Sequence, residues 1–331
     1  MNGATIPTSP RLPKPVGPVS AAVVELLTTG VGASLNMAHP DPFDRDRQLA
    51  WFVLNGLSYR GWADVDDEME WHPLVVEWRR NLEEWFMAHA QEHVWLHDLS
   101  VADAIDRATA SDGSPSVAGW LAERGRREHL VDAVAMRMPY QMIEADPHTF
   151  AVPRLEGDVK RAICDVQAGE YGVGHEFSHA ELYARAASAL GLEESDVLDR
   201  LPGVAFATVN FITACALRRS WRHIVVGQLT LFEMDSVAPN RHMVTACDRI
   251  GVPDEVRRFF HVHVLADAEH ERMMEDAVVR RLCANDPDCA ADVTFGIAAQ
   301  RWIDRAVAEH ATEAWEHGAS VLLDRAVLAA A

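Results

Sequence analysis

From Leu201 to Leu217 the chain carries no charge at all, although 24% of its residues overall are charged. A run of this kind has to be covered on every side, by lipid or by protein. It is slightly short for a bilayer span and contains Pro202, Gly203 and Asn210, and Arg218, Arg219, Arg222 and His223 come directly after it. The run is therefore read as a buried helix in the middle of a bundle, wrapped by other helices.

The rest of the sequence supplies those partners. Ala, Leu, Glu and Arg are abundant, and few segments alternate with the period of a strand. Trp78, Leu82, Trp85, Phe86 and Ala90 recur at helical spacing, which predicts an amphipathic helix over about 73–97. Further helices are expected near 116–144 (kinked or restarted at Pro139), 156–170 and 175–190, then 203–234, 236–249, 253–282 and 291–328. Asp146-Pro147, Gly172, Gly174, Gly251-Val252-Pro253 and Asp286-Pro287 punctuate them. The expected fold class is all-α, a helical bundle with connections of ordinary length. With no repeat and no shift in composition, one domain over residues 19–331 is expected, preceded by a flexible Pro-rich arm over 1–18.

The formal net charge is -20, which argues against a nucleic-acid partner because no basic stripe offsets repulsion from phosphates. The first twenty residues lack a continuous apolar core, so a cytoplasmic protein with no membrane partner is expected. Cys164, Cys215, Cys247, Cys283 and Cys289 are scattered without CxxC spacing and are read as reduced thiols, with a Cys283–Cys289 bridge as the alternative.

Chemistry is concentrated in a few places. His263, Asp267 and His270 stand at i, i+4 and i+7, so one helix would aim all three at one point. Two imidazoles and a carboxylate suit non-haem iron, or manganese; the competing reading is a solvated polar face. Glu176 and His179 form a Glu-x-x-His pair, the arrangement by which helical bundles present a carboxylate and an imidazole to two metals. Glu170 precedes two glycines that would let it turn inward, and Glu144 closes the helix before Asp146-Pro147. Tyr171 adjoins the set and is a candidate catalytic residue lining the pocket. Arg218 and Arg222 are candidates to anchor a substrate carboxylate, with surface charge as the other reading. His89, His93 and His97, beside Glu92, also form a stripe, read as a partly exposed helix face; His72 and His148 are read as structural.

These residues sit in segments that resemble the haem-oxygenase-like diiron oxidases, the iron-containing redox enzymes, which bind no haem. The resemblance runs through GPVSAAVVELL, NGLSYRGWADVDD, YQMIEADPHTF, GEYGVGHEFSHAELY, GQLTLFEMDSVAPNR and FFHVHVLADAEH, in the family's order. It implies a haem-oxygenase-like fold and two irons per chain held by Glu144, Glu170, Glu176, His179, His263, Asp267 and His270. On that resemblance Glu144, His179 and His270 hold one iron, Glu170, His263 and Asp267 the other, and Glu176 bridges as a catalytic ligand. The turn from Glu170 to His179 is one residue shorter than the family's, which leaves Glu233 as a substitute for Glu170 or a group outside the donor set. The implied activity is oxygen-dependent oxidation of a small amine or amino-acid-like substrate in specialised metabolism, with an external electron donor and a homodimer as an outcome common to such folds. The alternatives are a metal-independent, thiaminase-like hydrolase of the same shape using a cysteine, and a non-catalytic helical module.

Overall fold

The uncharged run folds as the helix Val204–Leu217, and twelve of its fourteen residues are buried, which leaves no face for solvent. Its polar groups are matched internally: Asn210 Nδ2 donates to the carbonyl and Oε1 of Gln48, each at 2.9 Å, and Thr213 Oγ1 donates to the Val209 carbonyl. The computed structural model describes residues 9–32, 35–94, 99–110, 113–283 and 287–324, and no strand occurs among the described residues.

In chain order the helices begin with α1 (Pro18–Thr29), α2 (Arg45–Gly56), α3 (Pro73–His93), α4 (Val101–Thr109) and α5 (Val117–Arg124). Then come α6 (Arg127–Gln141), α7 (Asp146–Thr149), α8 (Gly157–Glu170), α9 (His179–Ala189) and α10 (Glu194–Leu198). The central α11 (Val204–Leu217) is followed by α12 (Arg222–Met234), α13 (Val237–Ile250), α14 (Asp254–Met274) and α15 (Ala290–Glu316). A π-helical stretch, Glu275–Leu282, prolongs α14.

Two of the expected long helices are broken, each where freed carbonyls find an arginine. The helix expected over 116–144 becomes α5 and α6, parted at Gly125, and Arg249 Nη2 donates to the Leu121 and Gly125 carbonyls at 2.6 and 2.5 Å. Pro139 lies inside α6 without ending it. The helix expected over 203–234 becomes α11 and α12, joined by the 3-10 turn Arg219–Trp221, and Arg154 binds the Ala216 and Leu217 carbonyls at the break.

Helices α12 and α15 cross with their backbones in close approach. A Cβ on Gly227 would stand 2.0 Å from the Val293 carbonyl oxygen, and one on Gly296 would stand 2.1 Å from that of Ile224. Only glycine lets these two backbones touch. Elsewhere α13 packs on α14 and α5, and α9 packs on α14. The result sets α6, α8, α9, α12 and α14 around one buried volume.

Residues 9–17 run along this body: Arg11 pairs with Asp199 at 2.6 Å, and the Lys14 N–H donates to the same carboxylate. No disulfide forms among the described residues, and no helix there is long and apolar enough to cross a membrane.

Candidate metal centre

His263 and His270 stand two turns apart on α14, and both are buried. Asp267 lies between them on the same helix, its side chain outside the described residues. His263 Nδ1 bonds the Phe259 carbonyl one turn back at 2.8 Å, which turns Nε2 toward Glu144 Oε1, 3.7 Å away. His270 Nδ1 lies 3.1 Å from Glu233 Oε2 and 3.7 Å from Glu170 Oε1. Gly169 makes room for this ring, since a Cβ there would sit 3.0 Å from His270 Nε2.

Glu170 is the last residue of α8 and His179 the first of α9. The chain between them doubles back through Gly172, whose φ of 71° and whose position against the Phe177 carbonyl, 2.5 Å from a would-be Cβ, both require glycine. Ser178 then caps α9 by accepting from the Glu181 N–H, and Glu181 answers by accepting from the Ser178 N–H. The reversal places His179 Nδ1 2.6 Å from Glu170 Oε2. Glu144 arrives from the turn after α6, held by Gln141 Nε2 at 2.9 Å.

Two groups of donor atoms result, each within 4.8 Å of one another: Glu144, Glu170, His179 and His263 in one, Glu170, Glu233 and His270 in the other. Glu170 belongs to both. All six residues are buried. Three carboxylates and three imidazoles in so small a space call for added positive charge, because buried like charges repel and lose hydration. Glu144 Oε2 is buried and takes no hydrogen bond among the described residues, as a ligand atom awaiting a cation would. Burial alone would push the Glu144 carboxyl up, but hydrogen bonding and charge from His263, with His179 and Arg137, bring it below its ordinary value. The donor set fits iron.

A cavity of about 520 Å³ opens onto Glu144, Glu170 and His263. Tyr140 and His148 line it, and burial, then Glu144, Glu170 and Glu233, holds the Tyr140 hydroxyl well above its ordinary value. Behind the wall, His148 Nε2 meets Gln228 Oε1 (2.9 Å), Gln228 Nε2 donates to Gln300 Oε1 (2.9 Å), and Gln300 Nε2 donates to Asp304 Oδ1 (2.7 Å). This direction of donation puts the His148 proton on Nε2 and leaves Nδ1 as an acceptor. Burial pushes the Asp304 carboxyl up to about 6, against the Gln300 hydrogen bond, which lowers it.

Residues 131–304, more than half of the chain, match the family described as iron-containing redox enzyme. The chain belongs to the iron-containing redox enzyme family. No protein of curated function matches it. The matched span holds all six clustered donors of this iron-containing redox enzyme, and the family makes it an oxidoreductase.

Five of the seven expected ligands, Glu144, Glu170, His179, His263 and His270, come together. The structure does not bring Glu176 to them: its side chain is 68% exposed and faces Arg258 at 3.3 Å. A Glu-x-x-His pair shares a face only within a helix, and α9 begins at His179, so Glu176 lies ahead of the Ser178 cap. Glu233 joins instead, and Glu170 keeps its place, so the grouping differs from the one implied by the resemblance. A lone glutamate in the apolar stretch Val225–Met234 was the signal for Glu233. Tyr171 lies outside the cavity, its hydroxyl donating to Asp146 Oδ1 at 2.8 Å and its pKa pushed up to about 12, chiefly by burial. Arg218 pairs with Glu83 at 2.5 Å and Arg222 bonds the Arg219 carbonyl; neither lines the cavity. His148, expected to be structural, does line it. His89, Glu92 and His93 bring donor atoms together at the surface, His89 bonded to the His39 carbonyl, while His97 lies outside the described residues.

Proposed function

We propose that this enzyme is a non-haem diiron oxidase or oxygenase that uses molecular oxygen to oxidise a small amine or amino-acid-like substrate, by N-oxygenation or oxidative carbon–carbon cleavage. The observation that supports it most is Glu170, one carboxylate common to two buried donor groups. Glu144, His179 and His263 would hold one ion beside it, and Glu233 and His270 the other. Asp267, on the His263–His270 stripe, is an added donor on sequence grounds. When bound, two ferrous ions supply electrons to oxygen.

The chain's own residues prepare that site. The Phe259 carbonyl fixes the His263 tautomer, as hydrogen-bonded partners of metal-binding histidines do. Glu144 is ionised at neutral pH and ready to ligate. Tyr140 stays protonated and offers the cavity a phenol hydroxyl.

The cysteine-hydrolase reading has less support. Burial raises the Cys215 thiol well above its ordinary value and the Cys247 thiol to about 12, the reverse of an activated nucleophile, and neither lines the cavity. The test is anaerobic loading with ferrous iron followed by oxygen uptake. Two irons per chain and uptake that survives Cys215→Ser and Cys247→Ser are expected. Turnover by metal-free protein, lost in either serine variant, would favour the hydrolase; iron near zero would favour the non-catalytic module.

A further inference from the structure

A second group of ligating side chains lies away from the cavity, in the last turns of α3. His89, Glu92 and His93 stand at i, i+3 and i+4, so one face of the helix carries all three, and their donor atoms lie within 4.8 Å of one another. Glu92 and His93 are exposed and His89 is half-buried; none of them lines the cavity.

Each imidazole is held by one of its two nitrogens. His89 Nε2 meets the His39 carbonyl at 2.9 Å, and His93 Nδ1 meets the His89 carbonyl at 2.8 Å. A carbonyl oxygen only accepts, so these nitrogens carry the protons, and His89 Nδ1 and His93 Nε2 keep their lone pairs for another partner. Histidines that bind metal are steadied in this way, through the second ring nitrogen. Packing adds to the effect. Trp85 meets His89 edge-on with centroids 5.8 Å apart, and Trp302 of α15 stacks on His93 at 5.2 Å and 22°. Glu92 has no hydrogen bond or ion pair among the described residues. The negative end of the α3 dipole and a net charge of -20 both favour a cation here.

We propose that His89, Glu92 and His93 form a second metal site, separate from the buried donors, for one late first-row divalent ion such as zinc. Two imidazoles and a carboxylate fill three tetrahedral positions and leave the fourth to water. With bonds of about 2.0–2.1 Å, ligand atoms around zinc stand about 3.3 Å apart, so the group has to close by no more than about 1.5 Å. Glu92, tied to nothing, can swing over that distance. Such donors hold ferrous iron more weakly than zinc, whereas the buried centre is richer in carboxylate, so the two sites sort the two ions.

The experiment loads the full chain with ferrous iron without oxygen, titrates it with zinc chloride and counts both metals per chain. The parent should hold one zinc more than His93→Ala, with the same iron in each. His89→Ala and Glu92→Gln should weaken the same zinc about tenfold or more, each losing one ligand of three. Glu92→Gln keeps the size of the side chain, so its loss is not a fault of folding. His317→Ala, at an exposed histidine on another element, should leave the zinc in place. Equal zinc in the parent and in all three site variants would overturn the proposal, and so would an equal loss in His317→Ala. The two metals are counted separately, so a parent that takes up no iron yet holds one zinc more than His93→Ala would sink the iron reading and leave this site standing.

Discussion

Two parts of the candidate centre carry expected ligands at helical spacing, and they behave differently. On α14 the imidazoles of His263 and His270 reach one site as their separation predicts. In the Glu170–His179 segment the same rule misplaces Glu176. The difference is continuity: α14 runs unbroken from Asp254 to Met274, whereas Glu176 and His179 lie on opposite sides of an N-cap. Residue spacing converts to direction only where the backbone hydrogen bonds continue through it.

The largest effect expected from this contrast falls on the continuous helix. On the proposed diiron reading, His263→Ala or His270→Ala should each remove at least one of two irons per chain and lower oxygen uptake about a hundredfold or more, since each deletes a proposed direct ligand. Metal analysis beside uptake rates checks this; near-normal iron in either variant would break the α14 half of the comparison.

The second pair sharpens the other half. Glu233→Ala should weaken iron loading about tenfold or more, while Glu176→Ala should leave the stoichiometry as it was. A reversed result would mean that iron draws the segment ahead of Ser178 inward and that the Glu-x-x-His spacing was sound after all.

Smaller effects probe the turn itself. Gly172→Ala forces a positive φ on alanine and a clash with the Phe177 carbonyl, and should cost about 1–3 kcal/mol in chemical unfolding. Ser178→Ala removes only the cap, about 1 kcal/mol. If both variants unfold like the parent, the reversal is not what holds His179 against Glu170.

The smallest is a pH effect far from the turn. Asp304 has its folded-state pKa raised to about 6, so the folded chain binds its proton more tightly than the unfolded chain does. Its unfavourable contribution is absent below the ordinary carboxyl range, develops as pH rises, and is complete above about 6. Asp304→Asn, neutral throughout, should therefore gain in Tm over the parent as pH goes from 4 to 7. A difference that does not change with pH would contradict this.

Much of this was readable from residues alone. The uncharged run demanded a central helix and became one, and the all-α class followed from helical periodicity. Candidate ligands on α14 and at helix ends converge because type and spacing agree there. What could not be read was decided by tertiary contacts. Arg249 and Arg154 break two helices by binding carbonyls from distant segments. Glu233, offered as a substitute for Glu170, joins beside it instead because α12 packs on α14. Arg218 and Arg222, candidates for a carboxylate anchor or for surface charge, are engaged by Glu83 and the Arg219 carbonyl. The Ser178–Glu181 capping box, by contrast, was in plain view and would have moved the start of α9 to His179.

The account depends on one carboxylate serving two ions. Crystals grown without oxygen and loaded with ferrous iron, measured on either side of the iron absorption edge, test it directly. Two anomalous peaks about 3.5–4 Å apart are expected, the separation usual for paired metals, with the Glu170 carboxylate between them. A single peak, or two peaks with Glu170 touching only one, would contradict it.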